Sequence, residues 1–179
     1  RVSKSGAVFD REKLNWMNQQ YLLKLPEGEY FRMIDDVIQK GDYHDQDPGK
    51  IRQAAEILKT RLVTLSDLNQ KLGLFFEENP EIKDLQAIEV LKEENSKTVL
   101  KEFLQKAENL DQLTSENLGQ LVKSVQKSTG IKGRGLWMPL RSAITREVSG
   151  PELPAMLDFF GGEKCLHLIR QALENPSLN

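Results

Sequence analysis

Apolar residues in this chain recur at intervals of three and four, the spacing that places side chains on one face of an α-helix. The clearest stripe consists of Ile51, Ala54, Ala55, Leu58 and Leu62. Asp47 and Pro48 precede it in the roles of N-cap and first helical residue. We find no convincing alternation of apolar and polar residues, and β-branched residues are scattered rather than clustered. The pattern therefore predicts an all-α fold.

Cap and breaker residues divide this pattern into separate helices. Asp10 is expected to cap a first helix that ends before Pro26 and has Leu14, Met17 and Tyr21 on one face. The other helices are expected at 29–39, from Pro48, from Ser66 to about Gly73, at 81–92 and 97–107, from Thr114 to Gly130, around 140–146, and on both sides of the Gly161-Gly162 pair. Residues 75–80 predict a hinge between two bundles.

Positive charge is concentrated in one part of the chain. The formal net charge is -2, yet residues 117–146 contain six basic side chains and no Asp or Glu, whereas residues 77–116 contain eleven acids and five lysines. A basic segment in an acidic chain concentrates positive potential on one surface, which attracts a polyanion. Trp137 lies among these cations and offers a surface on which an unpaired RNA base can stack. The competing interpretation is that Leu136 and Trp137 fill the core and that the lysines are ordinary surface charge.

The residues offer little for catalysis or for binding a metal. His44 and His167 are the only histidines and Cys165 is the only cysteine, and their spacing resembles no known ligand set. There is no Walker loop and no GxGxxG motif, and the acid pairs at 77–78 and 93–94 are most simply solvated helix faces. A single cysteine indicates a reducing, cytoplasmic setting, and no apolar run reaches the roughly 18 residues of a membrane span. We therefore expect no cofactor, metal or membrane contact for this chain.

Three segments of the chain carry distinctive sequence. They are RVSKSGAVFDREKLNWMNQQYL at residues 1–22, AAEILKTRLVTL at 54–65 and GIKGRGLWMPLRSAITREVSGPEL at 130–153. In order and spacing they resemble successive pieces of the carboxy-terminal, anticodon-binding part of the glutamyl-tRNA synthetase family. The resemblance implies an α-helical cage of two small bundles. Residues 1–25 would end a stem-contact region, 26–75 would form the first anticodon-binding bundle and 76–179 the second.

The segment VSKS at residues 2–5 is similar to the KMSKS loop with which class I aminoacyl-tRNA synthetases hold ATP. In this family, however, the piece followed by GAVFD and KLNWMN lies downstream of that loop, so Lys4 is not expected to contact ATP. The HIGH-type motif and the Rossmann domain are absent from the sequence. The resemblance implies that this chain does not aminoacylate by itself. An upstream catalytic domain of the same polypeptide would bind ATP and magnesium.

The resemblance also implies which residues contact tRNA(Glu). Arg61 matches the arginine that reads the third anticodon base in discriminating members of the family, and Arg141 matches one that contacts the anticodon loop. A guanidinium suits both tasks because it presents a planar fork of donors and always carries charge. The turn against which the first anticodon base packs is matched by Gly150, Pro151 and Leu153. The remaining expected tRNA contacts are Lys13, Asn15, Trp16, Asn18, Lys132, Arg134 and Arg146.

Two positions depart from the family pattern. Arg146 stands where many relatives have glycine, and Gly161-Gly162 replaces a more usual Gly-Lys. Arg146 is accordingly expected to make either a phosphate contact or a salt bridge.

The sequence thus predicts a monomeric module that recognises tRNA(Glu) and has no DNA partner. The alternative is a helical protein-interaction domain that does not bind RNA, with the acidic residues 77–116 as its contact face. Whether tRNA(Gln) is also a substrate of the parent enzyme stays open.

Overall fold

The structure, a computed structural model, describes residues 10–175, in which helices are joined by turns and loops. The helices are α1 (Arg11–Lys24), α2 (Glu27–Ile38), α3 (Pro48–Leu58), α4 (Asp67–Phe76), α5 (Leu85–Lys92), α6 (Glu94–Ala107), α7 (Ser115–Thr129), α8 (Arg134–Thr145) and α9 (Leu153–Glu174). A 3₁₀ turn, Lys59–Arg61, follows α3. These residues contain no β-strand, and the all-α prediction is confirmed. They form two compact units that divide between Leu72 and Gly73, within α4.

The first unit is built around α2, α3 and the 3₁₀ turn. Tyr30 of α2 is fully buried, and its hydroxyl donates a hydrogen bond of 2.7 Å to the carbonyl oxygen of Ala55 on α3. The predicted apolar stripe of α3 is buried along its whole length, including Leu62 just after the turn. Asp47 caps α3 by accepting a hydrogen bond from the backbone N–H of Lys50 at 2.8 Å. Local sequence therefore specifies this part of the fold well.

Helix α1 buries very little of its apolar surface. Asp10 caps it as predicted, accepting a hydrogen bond from the backbone N–H of Lys13 at 3.0 Å. Leu22 is its one buried residue. The large apolar side chains left exposed are Leu14, Trp16, Met17, Tyr21 and Leu23. The helix is tied to the 3₁₀ turn through Gln19, whose Nε2 donates to the carbonyl oxygen of Thr60 at 2.8 Å.

The core of the second unit is centred on α6, which packs against α7, α8 and α9. Its buried apolar residues are Val99, Leu100, Phe103 and Ala107. Burial of a large apolar side chain contributes about 1.5–3 kcal/mol, so this face alone is a substantial part of the unit's stability. Thr114 begins α7 in a capping box with Asn117, and Gly130 ends it in the left-handed conformation. Both ends of α7 agree with the prediction.

Helix α9 is interrupted near its middle. Gly161 has φ 77° and ψ 163°, values outside the helical region. The next residue, Gly162, is buried, and a Cβ placed on it would lie 2.5 Å from the carbonyl oxygen of Leu113. The first glycine supplies a conformation that other residues avoid, and the second permits a close approach of backbone. The predicted break at this pair is therefore confirmed.

Helices α4 and α8 extend further than the sequence pattern predicted, and α6 begins at Glu94 rather than near residue 97. Helix α4 continues through Gly73 to Phe76 because Phe75 is buried and holds the last turn in the core. Helix α8 begins at Arg134 rather than near residue 140, and Pro139 lies inside it. Burial of Leu136 stabilises this early start, which shows tertiary packing overriding local propensity.

Candidate nucleic-acid interface

The basic residues 117–146 fold as α7, a short glycine-containing connection and α8. Gly130 and Gly133 both have positive φ, 73° and 56°, so the chain turns sharply between the two helices. Lys132 and Arg134 are exposed at this turn. Gly133 is the N-cap of α8 and provides no side-chain cap. The positive end of the α8 dipole therefore adds to the charge of the two cations.

One face of α8 remains accessible, and we call it the α8 outer face. It consists of Arg134, Trp137, Met138 and Arg141, which share one side of the helix at offsets 0, 3, 4 and 7. Trp137 is 41% exposed, whereas its neighbour Leu136 is 1% exposed. The interpretation in which both residues fill the core is therefore wrong for Trp137 and right for Leu136.

Arg141 is held against the loop that precedes α9. Its Nη1 donates to the carbonyl oxygen of Gly150 at 3.1 Å and to Oε1 of Glu152 at 3.4 Å, while Nη2 donates to Oε2 of Glu152 at 3.0 Å. A two-pronged contact of this kind fixes the orientation of the guanidinium as well as its position. The structure thus brings Arg141 together with the 150–153 segment, two regions that the sequence singled out separately.

The 150–153 segment is itself tightly packed. A Cβ on Gly150 would lie 2.1 Å from Oγ1 of Thr145, so glycine is required there. Gly150, Pro151 and Leu153 are all buried, and Leu153 begins α9. Of the first residues of α9, Leu153 is buried and Pro154 has no backbone N–H, so the exposed side chain of this segment is that of Glu152. Glu152 was missed at the sequence level because its negative charge is unpromising for RNA, although it stands within the GPEL motif.

Arg146 does not belong to this surface. It is 5% exposed, and its guanidinium donates to the carbonyl oxygens of Ala143 and Leu168 and to the side-chain oxygen of Gln171, at 2.8, 3.3 and 2.8 Å. Its three partners are neutral, and burial lowers the pKa of Arg146 to about 10. Its backbone has φ 63°, the left-handed conformation that favours glycine. The predicted phosphate contact or salt bridge is therefore replaced by an internal link between α8 and α9.

In the first unit, Arg61 and helix α1 meet at the 3₁₀ turn. Arg61 ends this turn and is half-buried beside the fully buried Leu62. Helix α1 lies against the same turn through the hydrogen bond from Gln19 to Thr60. Trp16 is 61% exposed and so does not serve as a core residue. The other α1 residues predicted to contact tRNA are exposed or half-buried, namely Lys13, Asn15 and Asn18.

Comparison with known proteins identifies the family. The sequence profile described as an anticodon binding domain matches residues 18–173. This chain belongs to the anticodon-binding domain family. Relatives of this anticodon-binding domain include the glutamate–tRNA ligase of Geobacillus stearothermophilus, 34% identical over 97% of the chain and 36% of the relative. The glutamate–tRNA ligase of Lactiplantibacillus plantarum (strain ATCC BAA-793 / NCIMB 8826 / WCFS1) is 37% identical over 91% of the chain and 34% of the relative.

A solved structure gives the same answer for the fold. The glutamate tRNA ligase of Elizabethkingia meningosepticum CCUG26117, crystallised in complex with its amino acid, superimposes with a TM-score of 0.67 at 25% identity. The match covers 97% of this anticodon-binding domain and 34% of that chain. The chain thus spans about a third of the length of the relatives that it matches. The predicted resemblance to the anticodon-binding part of glutamyl-tRNA synthetases is confirmed.

Other sequence features fall outside the interface. The VSKS segment with Lys4 lies outside the described residues. Within residues 10–175, no group of three or more His, Cys, Asp or Glu side chains is placed to hold a metal ion. In the same range, no helix combines the length and the apolar character that crossing a membrane requires.

Proposed function

We propose that this anticodon-binding domain recognises tRNA(Glu) as the carboxy-terminal part of a glutamate–tRNA ligase. In this proposal a catalytic domain of the same polypeptide attaches glutamate with ATP and magnesium in the cytoplasm, and the enzyme acts as a monomer. Residues 1–25 belong to the stem-contact region, and residues 26–75 and 76–179 form the two anticodon-binding bundles. The chain's own contribution is to bind the tRNA and orient it.

The observation that supports this function most is the contact between Arg141 and the 150–153 segment. The Arg141 guanidinium and the exposed cations Lys132 and Arg134 all belong to the acid-free segment, within one unit. Such a combination offers an oriented guanidinium for a base edge together with exposed positive charge for phosphates. Phosphate attraction provides affinity, and the oriented guanidinium provides the choice of base.

Arg61 is the residue that we assign to the third anticodon base. It is half-buried at the end of the 3₁₀ turn, so its side chain has a restricted set of positions. A well-oriented arginine contact to a base contributes roughly 1–3 kcal/mol of discrimination. This is about 5- to 150-fold in relative affinity.

The test is binding of this chain to an anticodon stem-loop of tRNA(Glu) and to the same RNA with the third anticodon base changed. We expect wild type to prefer the matched RNA and Arg61→Gln to lose most of that preference. Arg52→Gln is the matched control, because Arg52 is an exposed arginine of the same unit whose surface ion pair with Asp35 contributes little. Equal binding of both RNAs by wild type would contradict the assignment of Arg61.

The alternative of a protein-interaction domain predicts a different outcome. Binding to tRNA(Glu) through phosphates releases cations that are condensed on the RNA. Because this release becomes less favourable as the salt concentration rises, the affinity falls steeply. A protein scaffold forms no specific complex with the tRNA at any salt concentration. Protection mapping adds a second criterion, since the proposed function requires a footprint on the anticodon loop.

A further inference from the structure

The α8 outer face carries an aromatic side chain, Trp137, that is not among the predicted tRNA contacts. Its residues Arg134, Trp137, Met138 and Arg141 are the accessible ones on a helix whose other side is buried in the core of the second unit. Trp137 is 41% exposed, so a substantial part of its side chain stays accessible although the helix is well packed. Its position between two arginines gives it a chemical environment suited to a charged aromatic ligand.

We propose that Trp137 is a stacking platform for one unpaired base of the anticodon loop. This inference rests on the proposed function and assigns a residue that the family resemblance did not include. The accessible indole offers a planar apolar surface, on which bases of any identity can stack. Arg134 lies three residues before Trp137 and Arg141 lies four residues after it. The two arginines are separated by a rise of about 10 Å along the helix. Arg134 would neutralise a phosphate beside the stacked nucleotide, whereas Arg141 is already paired with Glu152.

The charge of the surrounding segment favours RNA over an acidic or neutral protein as the occupant. Residues 117–146 contain no carboxylate that would repel a phosphate. The exposed carboxylate of Glu152 contacts Arg141 of the α8 outer face and is paired with it. Lys132 and the uncapped start of α8 extend the positive surface toward the α7–α8 connection. When a nucleotide of the loop unstacks and its base contacts Trp137, its phosphates stay close to this positively charged surface.

The experiment compares this chain with its Trp137→Ala, Trp137→Phe and Leu85→Ala variants in binding to the anticodon stem-loop of tRNA(Glu). Trp137→Ala should weaken binding by about 5- to 150-fold, the range that corresponds to stacking of one base. Trp137→Phe should retain most of the affinity, because a benzene ring also stacks. Leu85 is an exposed apolar residue of α5, so Leu85→Ala controls for the loss of exposed apolar surface and should bind as wild type does.

Salt dependence separates stacking from charge. Trp137→Ala should leave the slope of log affinity against log salt unchanged, whereas Arg134→Gln should reduce its magnitude by about one. A second series removes one loop base at a time from the RNA by introducing an abasic site. With the RNA that lacks the stacked base, Trp137→Ala should have no further effect.

The outcomes discriminate between the two proposals. If wild type binds the stem-loop and Trp137→Ala binds equally well, the stacking role is overturned while the proposed function stands. The same conclusion follows if Trp137→Ala weakens binding equally for every abasic RNA. If wild type does not bind the stem-loop, both proposals fail. Circular dichroism of each variant confirms that the helices are intact.

Discussion

Replacement of Arg146 by glycine sets two opposing effects against each other. Arg146 adopts a left-handed backbone conformation at the C-terminus of α8 and buries its guanidinium against α9. The Arg146→Gly variant relieves the backbone strain and removes a buried cation. It also deletes three hydrogen bonds and the apolar stem of the side chain. The sign of the change in stability therefore reports which effect is larger.

The structure gives the magnitude of each effect. A left-handed conformation costs an arginine about 1 kcal/mol relative to glycine. The lowered pKa, about 10 against an ordinary value of 12.5, corresponds to a burial penalty of about 3 kcal/mol. Against these, charge-assisted hydrogen bonds contribute about 1.5 kcal/mol or more each, and each buried methylene contributes about 0.8 kcal/mol. The contacts outweigh the strain, and we expect Arg146→Gly to destabilise the protein by about 2 kcal/mol.

Thermal unfolding followed by circular dichroism measures this difference. For a chain of this size, 2 kcal/mol corresponds to a decrease in Tm of about 4–8 °C. Arg146→Lys is the companion variant, because it keeps the charge and the strained backbone but cannot form the guanidinium fork. It should also be less stable than wild type. A glycine variant as stable as wild type, or more stable, would refute the argument and show that strain and charge burial dominate.

Further predictions concern groups buried in each unit. Burial raises the pKa of the Cys165 thiol to about 12, so the native protein should not react with a thiol reagent at pH 8. One equivalent of the reagent should react after denaturation. Rapid reaction of the native protein would contradict the burial of this thiol. Burial, with a smaller contribution from a nearby negative charge, raises the pKa of Tyr30, so the native state binds its proton more tightly and loses stability as pH rises above about 10. Tyr30→Phe should lose less stability than wild type over that pH range in denaturant titrations. Gly162→Ala should destabilise the protein strongly, because the added Cβ would clash with Leu113. Gly119→Ala, in open space on α7, should instead stabilise the protein by about 0.5–1 kcal/mol. Similar denaturant midpoints for the two variants would refute this contrast.

Sequence reasoning succeeded where the determinants are local. The stripe on α3, the Asp47 cap and the ends of α7 depend on residues within a turn or two of each other, and these were predicted. The early start of α8 was not, because it depends on burial of Leu136 in a core made by distant helices. A periodic pattern gives the face of a helix but does not show how much of the chain other helices will cover.

The candidate site was predictable in its residue types rather than in their pairing. Arg141 and the 150–153 segment were both selected, but the two-pronged contact with Glu152 could not be inferred from positions eleven residues apart. Arg146 was assigned to the surface because it is basic and lies in a basic segment. Its inward direction goes with the left-handed turn that ends α8, a conformation that an arginine rarely adopts.

The exposure of both tryptophans has a practical consequence for spectroscopy. Trp16 lies in the first unit and Trp137 in the second, and both indoles already meet solvent in the native protein. On unfolding, the emission of Trp16, which is 61% exposed, should therefore change less than that of Trp137, which is 41% exposed. In the native protein, emission should also respond to a ligand that covers either indole, so single Trp→Phe variants turn each unit into its own optical reporter of RNA contact.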